Sequence, residues 1–170
     1  MKILLTEGCV VGSLLIDDVP ANELQANKLK NIVFTIINNI ISNKANLIEM
    51  IDYLMTDTDI STSSAEYNME YDERPYTEYM INSQQFGVIL LKESFFEDAS
   101  LTLTIDGKDI SEMSEDDIRE VIKNIIEENV VESTSLIRIL TALTESFGRY
   151  KFCYHCDECG DNVFEYELEV

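Results

Sequence analysis

The run Cys153-Tyr154-His155-Cys156-Asp157-Glu158-Cys159-Gly160 gathers three of the chain's four cysteines and its one histidine. Its second half, Cys156-x-x-Cys159-Gly160, has the form of a metal-binding knuckle. Two thiolates two residues apart can bite one ion, and a glycine follows where the backbone must turn with positive φ. Strand-like residues flank the run, as in half of a zinc ribbon. A C-terminal Cys-containing β-hairpin is therefore expected. Tetrahedral zinc in a structural role needs four ligands. Cys153 is the third candidate beside Cys156 and Cys159. The fourth is Cys9, with His155 as the alternative. A Cys9 ligand would tie the two ends of the chain together, and an ion shared by two chains would also complete the set.

Competing readings of the cluster are weaker in chemistry. An iron–sulfur run would want a fourth cysteine and a trailing proline. A thioredoxin-like pair would sit at a helix N-terminus, whereas Asp161-Asn162 and a strand follow here. Asp157 and Glu158 would raise a neighbouring thiol's pKa rather than lower it. Reduced thiols without metal are the plain alternative. A full zinc ribbon has two knuckles, and this chain has one.

Periodicity predicts an α+β fold with about four helices around a small mixed or antiparallel sheet. Residues 2–5 and 9–16 read as strands, and Asp17, Asp18 and Pro20 mark a stop before a helix. Apolar residues at 29, 32, 33, 36, 37, 40 and 41 have helical spacing. Leu47, Ile48, Ile51, Leu54 and Met55 predict a second helix in an antiparallel hairpin with the first. Phe86 to Lys92 and Leu101 to Ile105 read as strands, with Asp106-Gly107 as a hairpin turn. Ser114-Glu115-Asp116-Asp117 opens a helix that carries Ile118, Val121, Ile122, Ile125 and Ile126 on one stripe. A fourth helix covers 134–147, with Gly148 as its stop. The last strands are 149–154 and 163–170. No internal repeat is expected, and the whole chain, 1–170, reads as a single domain. Residues 55–85 are expected as a mobile excursion rich in tyrosine and acid.

The net charge is −21, from 33 acidic and 12 basic residues. Such a surface repels free nucleic acid and anionic membrane, and it attracts basic proteins. Lys28, Lys30 and Lys44 are too sparse for a nucleic-acid patch. No window reaches the apolar length of a membrane span, and the apolar start at Met1 lacks a signal-peptide pattern. A cytoplasmic location is expected, or a particle-associated one if the chain is viral. The Ile, Asn, Lys, Glu and Asp content fits an AT-rich genome such as that of a low-GC bacterium or its phages. Catalytic signatures are missing: there is no HExxH, no Walker A loop and no GxGxxG. Asp116-Asp117 and Asp17-Asp18 read as helix-start residues, and Asp57-Thr58-Asp59 lacks the rest of a calcium loop.

Glu66, Tyr67, Glu70, Tyr71, Asp72, Glu73, Tyr76 and Tyr79 interleave acids with aromatic contact area, the composition of a partner-binding surface. The expected function is a non-enzymatic acidic interaction protein with a structural zinc knuckle. It would bind a basic protein surface as an assembly or virion component, or as an accessory factor of a larger complex, and an oligomer would fit. The alternatives are a phage-type inhibitor that imitates nucleic acid, and a small metal- or thiol-dependent enzyme using Cys159 or His155.

Overall fold

The computed structural model describes residues 1–8, 12–66, 76–94, 102–157, 160 and 162–170. The fold is α+β, with two antiparallel five-stranded sheets and four α-helices among the described residues. In chain order the elements are β1 (Lys2–Glu7), β2 (Ser13–Ile16), β3 (Val19–Pro20), α1 (Ala26–Asn39), α2 (Lys44–Thr56), β4 (Thr62–Glu66) and β5 (Tyr76–Ser83). Then follow β6 (Gly87–Ser94), β7 (Thr102–Ile105), β8 (Lys108–Asp109), α3 (Glu115–Asn129), α4 (Ser133–Phe147), β9 (Arg149–His155) and β10 (Asn162–Glu169). A short 3-10 turn precedes α1 and another precedes α3.

Contacts gather the chain into two compact units. The first joins Met1–Ile41 to Val131–Val170, and the second is Ser42–Val130. The first unit's sheet runs β3-β2-β1-β10-β9, and the second's runs β4-β5-β6-β7-β8. In the first unit α1 packs on α4, which lies against β1 and β10. In the second, α2 packs on α3, and both touch β5. Each unit is thus a sheet with one face covered by a helix pair.

Contrary to the expectation of no internal repeat, the element order contains a duplication. Three strands, a 3-10 turn, two helices and two strands occur once from β1 to β5 and again from β6 to β10. Register confirms the correspondence. Ile3 faces Ile16 and Leu168, and Ile89 faces Ile105 and Ile81. The β2–β3 turn holds Asp17 and Asp18 at φ 47 and 65, and the β7–β8 turn holds Asp106 and Gly107 at φ 48 and 80. Both have the positive-φ pair of a type I′ hairpin. Helix stripes match at one constant offset, with Leu29, Ile32, Val33, Ile36 and Ile37 answering Ile118, Val121, Ile122, Ile125 and Ile126. Neither unit is one repeat, however. Each takes the first three strands and first helix of one copy, and the second helix and last two strands of the other.

The core follows from alternation. Ile3 and Leu5, Leu14 and Ile16, Ile89 and Leu91, and Leu103 and Ile105 are buried two residues apart, so one face of each strand meets the helices. Full burial of each such side chain contributes about 1.5–3 kcal/mol. The stretch expected as a Tyr/acid excursion holds the end of α2 and the paired strands β4 and β5. Tyrosine and threonine are good strand formers. Gly148 ends α4 with φ −78 rather than a left-handed turn. A Cβ there would lie 2.3 Å from the Thr144 carbonyl oxygen, so close approach requires glycine.

Candidate functional site

Strand β9 lies at the edge of its sheet and, among the described strands, pairs with β10 alone. Register sets its two faces. Tyr150 faces Tyr166, which faces the buried Leu5, so Tyr150 and Phe152 share the helix-covered side of the sheet. Arg149 and Lys151 therefore take the opposite side, beside Glu165 and Glu167, and a register shift then leaves Cys153 as an extra residue between the Phe152–Phe164 and Tyr154–Val163 pairs. The Cys153 Sγ lies 3.5 Å from Glu165 Oε2 and 4.0 Å from the Lys151 carbonyl oxygen. Burial pushes the Cys153 thiol up, and Glu165 adds to this through its hydrogen bond and its charge. A raised thiol is a poorer nucleophile than an ordinary one at neutral pH.

The knuckle turn takes the expected shape at its described residues. Gly160 has φ +78, and its N–H donates to the Cys156 carbonyl oxygen at 2.9 Å. His155 Nδ1 lies 2.9 Å from Asn162 Oδ1 across the hairpin. Cys153 and Cys156 are free thiols. Cys9 and Cys159 lie outside the described residues, and among the described residues no three metal-ligating side chains converge. Strand β1 ends opposite Phe164, and a Cβ built on Gly8 would lie 2.7 Å from a Val163 methyl. The N-terminal strand thus runs out at the same end of the sheet as the cysteine hairpin.

The structure also brings together groups that the sequence reading missed. In the first unit Glu145, on α4, shares a hydrogen bond with Glu7 at the end of β1. Burial, that bond and the Glu7 charge push the Glu145 carboxyl up to about 7. Tyr166 lies beside them, and its hydroxyl is pushed up by burial, then by Glu7 and Glu145. In the second unit burial pushes Tyr79 up in the same way, followed by the charges of Glu93, Asp52 and Asp57. Asp52 is itself raised by burial and by Glu93, and its buried Oδ1 has no hydrogen-bond partner among the described residues.

The two patches correspond in their strand residues but not in their helix acids. Tyr166 faces Leu5 and Tyr79 faces Leu91, with Glu7 and Glu93 two residues further along the same strands. Thr56, one turn beyond Asp52 on α2, is the position that Glu145 holds on α4. The signal in the sequence was the helical offset itself, visible only once the two repeats are superposed.

Of the eight residues expected to contact a partner, Tyr67, Glu70, Tyr71, Asp72 and Glu73 lie outside the described residues. Glu66 and Tyr76 face each other across β4 and β5. Tyr79 joins the second acidic patch. No helix among the described residues is long and apolar enough to cross a membrane. No protein-family model matches this chain, and neither a curated protein nor a solved structure matches it.

Proposed function

We propose that this chain is a non-enzymatic acidic interaction protein that engages a basic surface of a protein partner. It would serve as an assembly or virion component, or as an accessory factor of a larger complex. The observation that carries this reading is the acid–tyrosine patch built twice, once in each unit, from Glu7, Glu145 and Tyr166 and from Glu93, Asp52, Asp57 and Tyr79. Carboxylates crowded until one retains its proton to about 7 form a site that a lysine or arginine would relieve. The tyrosine beside each supplies rigid contact area. Net charge supports the same partner class, since 33 acids outnumber 12 cations.

The C-terminal knuckle is a structural zinc clip in this reading, held by Cys153, Cys156 and Cys159 with Cys9 or His155. The common end of the sheet reached by β1 and the hairpin supports Cys9. Metal analysis of protein purified without chelator tests it. About one zinc per chain is expected, with thiols that become reactive on chelation. Metal-free protein with freely titrating thiols would remove zinc from the proposal.

Partner engagement is tested by affinity capture with the parent chain and with a variant carrying Glu7→Gln, Asp52→Asn, Glu93→Gln and Glu145→Gln. The parent should retain a discrete basic protein at low salt and lose it at high salt. The variant should not retain it. An identical captured set from both chains would overturn the reading. A captured nucleic-acid enzyme that DNA or RNA displaces would instead identify nucleic-acid mimicry.

A further inference from the structure

The first unit carries an aromatic shelf beside its acid–tyrosine patch. Helix α4 lies against β1 and β10, and β9 lies beyond them at the sheet edge. Tyr150 and Phe152, on the helix side of β9, stay 54 % and 51 % exposed. Register lays out two rows across that face. Glu7 faces Phe164, which faces Phe152, and Leu5 faces Tyr166, which faces Tyr150. Both rows precede the register shift at Cys153. The ring centroid of Tyr150 lies 5.9 Å from that of Phe164 and 5.5 Å from that of Tyr166, and Phe152 meets Phe164 at 6.2 Å. Four rings in mutual contact thus run from the exposed edge to Glu7. The duplicated fold supplies a control. By register Glu7 and Tyr166 have counterparts in Glu93 and Tyr79, but Tyr150, Phe152 and Phe164 correspond to Ser63, Ala65 and Thr77. The architecture therefore does not require the three added rings.

We propose that this shelf takes an arginine side chain of the basic partner, its guanidinium stacked on the exposed rings and its N–H groups donating to Glu7 and Glu145. This inference rests on the basic-partner reading and names the side chain that the first unit's patch recognises. Charge complementarity favours a cation. Glu7 directly faces one of the rings, and Glu145 shares a hydrogen bond with it. The cations of β1, β9 and β10 are Lys2, Arg149 and Lys151, and register puts all three on the other face of the sheet. Ring faces attract a cation within about 6 Å of their centroids, and directly opposed cross-strand residues have Cβ atoms about 4.5–5.5 Å apart. A guanidinium over Phe164 is therefore within reach of Glu7. Arginine fits better than lysine because its planar group stacks on a ring while it donates two parallel bonds to a carboxylate, whereas a compact ammonium holds its water more strongly. A neutral sugar would leave the carboxyl pair unrelieved, and a nucleotide would bring phosphate to a chain of net charge −21.

Fluorescence anisotropy of the full chain with labelled hexa-arginine and hexa-lysine peptides at matched salt tests it. The parent should bind hexa-arginine about threefold more tightly than hexa-lysine, or better. The double variant Tyr150→Ser, Phe152→Ala takes the sister strand's residues. A second, Tyr150→Leu with Phe152→Leu, keeps the apolar area without a π face. Each should retain the parent's far-UV dichroism, leave hexa-lysine binding unchanged and bring hexa-arginine down to the hexa-lysine level. Equal affinity of the parent for the two peptides, an arginine preference that survives in either variant, or tighter binding of a trimethyllysine peptide than of hexa-arginine would each overturn the proposal. The chain neutralised at Glu7, Asp52, Glu93 and Glu145 separates this failure from that of the wider reading. If it loses both peptides while the parent shows no arginine preference, the arginine shelf falls and the basic-partner reading stands. If it binds both peptides as the parent does, the basic-partner reading falls, and the shelf with it.

Discussion

At the scale of single residues, the duplication turns each position into a comparison with its counterpart. Asp18 sits at φ 65, where its counterpart is Gly107 at φ 80. A side chain in the left-handed region is strained, and glycine is not. Asp18→Gly should therefore stabilise the chain by about 1 kcal/mol or less, the left-handed strain relieved less the added glycine entropy, read as a higher urea midpoint at unchanged slope. Glu145 makes a pH-dependent prediction. Its carboxyl titrates near 7 in the fold against an ordinary 4.5. The folded chain therefore holds that proton more tightly than the unfolded chain does. The associated stability is fully present below about 4.5 and is lost as pH rises through about 7. Glu145→Gln should remove this slope. The variant should match the parent in acid and exceed it above neutral pH, as thermal unfolding across pH would report. If a cation docks beside Glu145 it displaces the same proton, so partner binding should tighten as pH rises through 7.

At the scale of elements, the helices were legible and the strands only partly so. Ser114 accepts from the Asp117 N–H, and Asp117 accepts in return, the reciprocal cap its spacing promised. The stripes of α1 to α4 could be read because their period of 3.6 is sustained over several turns. Strands β4 and β5 were missed because Tyr76-Thr77-Glu78-Tyr79 looks like a solvated contact surface. Pairing with the buried β6 makes β5 a central strand, and no local pattern announces its partner. Caps also differ between sister helices. The α1 N-cap, Gln25, makes no side-chain bond to its helix, where Ser114 does. Ser114→Ala should cost about 1 kcal/mol. Gln25→Ser should gain a similar amount or less, and paired denaturant titrations of the two variants would check the reciprocity.

At the scale of the whole molecule, the sequence concealed the duplication because the repeats share apolar class more than identity. Leu29 answers Ile118, Ile32 answers Val121 and Met50 answers Ile139, exchanges that keep a core and erase a motif. Among candidate site residues, the cysteine hairpin could be read from spacing. The acid–tyrosine patches could not, since Glu7 and Glu145 lie at opposite ends of the chain. The Val170 N–H donates to the Met1 carbonyl oxygen at 2.9 Å, and the Met1 nitrogen donates back at 3.0 Å. A circular permutant that links 170 to 1 and opens between Val130 and the exposed Val131 would make each unit contiguous. It should fold faster than the parent at similar stability, because its contacts are more local, and stopped-flow refolding would measure this. The native order has the opposite effect during synthesis. The second unit is complete once residue 130 has left the ribosome. Strand β1 is made well before its partner β10. At about 5–20 residues per second, β1 waits on the order of ten seconds for the strand that closes its sheet. Strand β1 thus completes its sheet only after the whole second unit has been made.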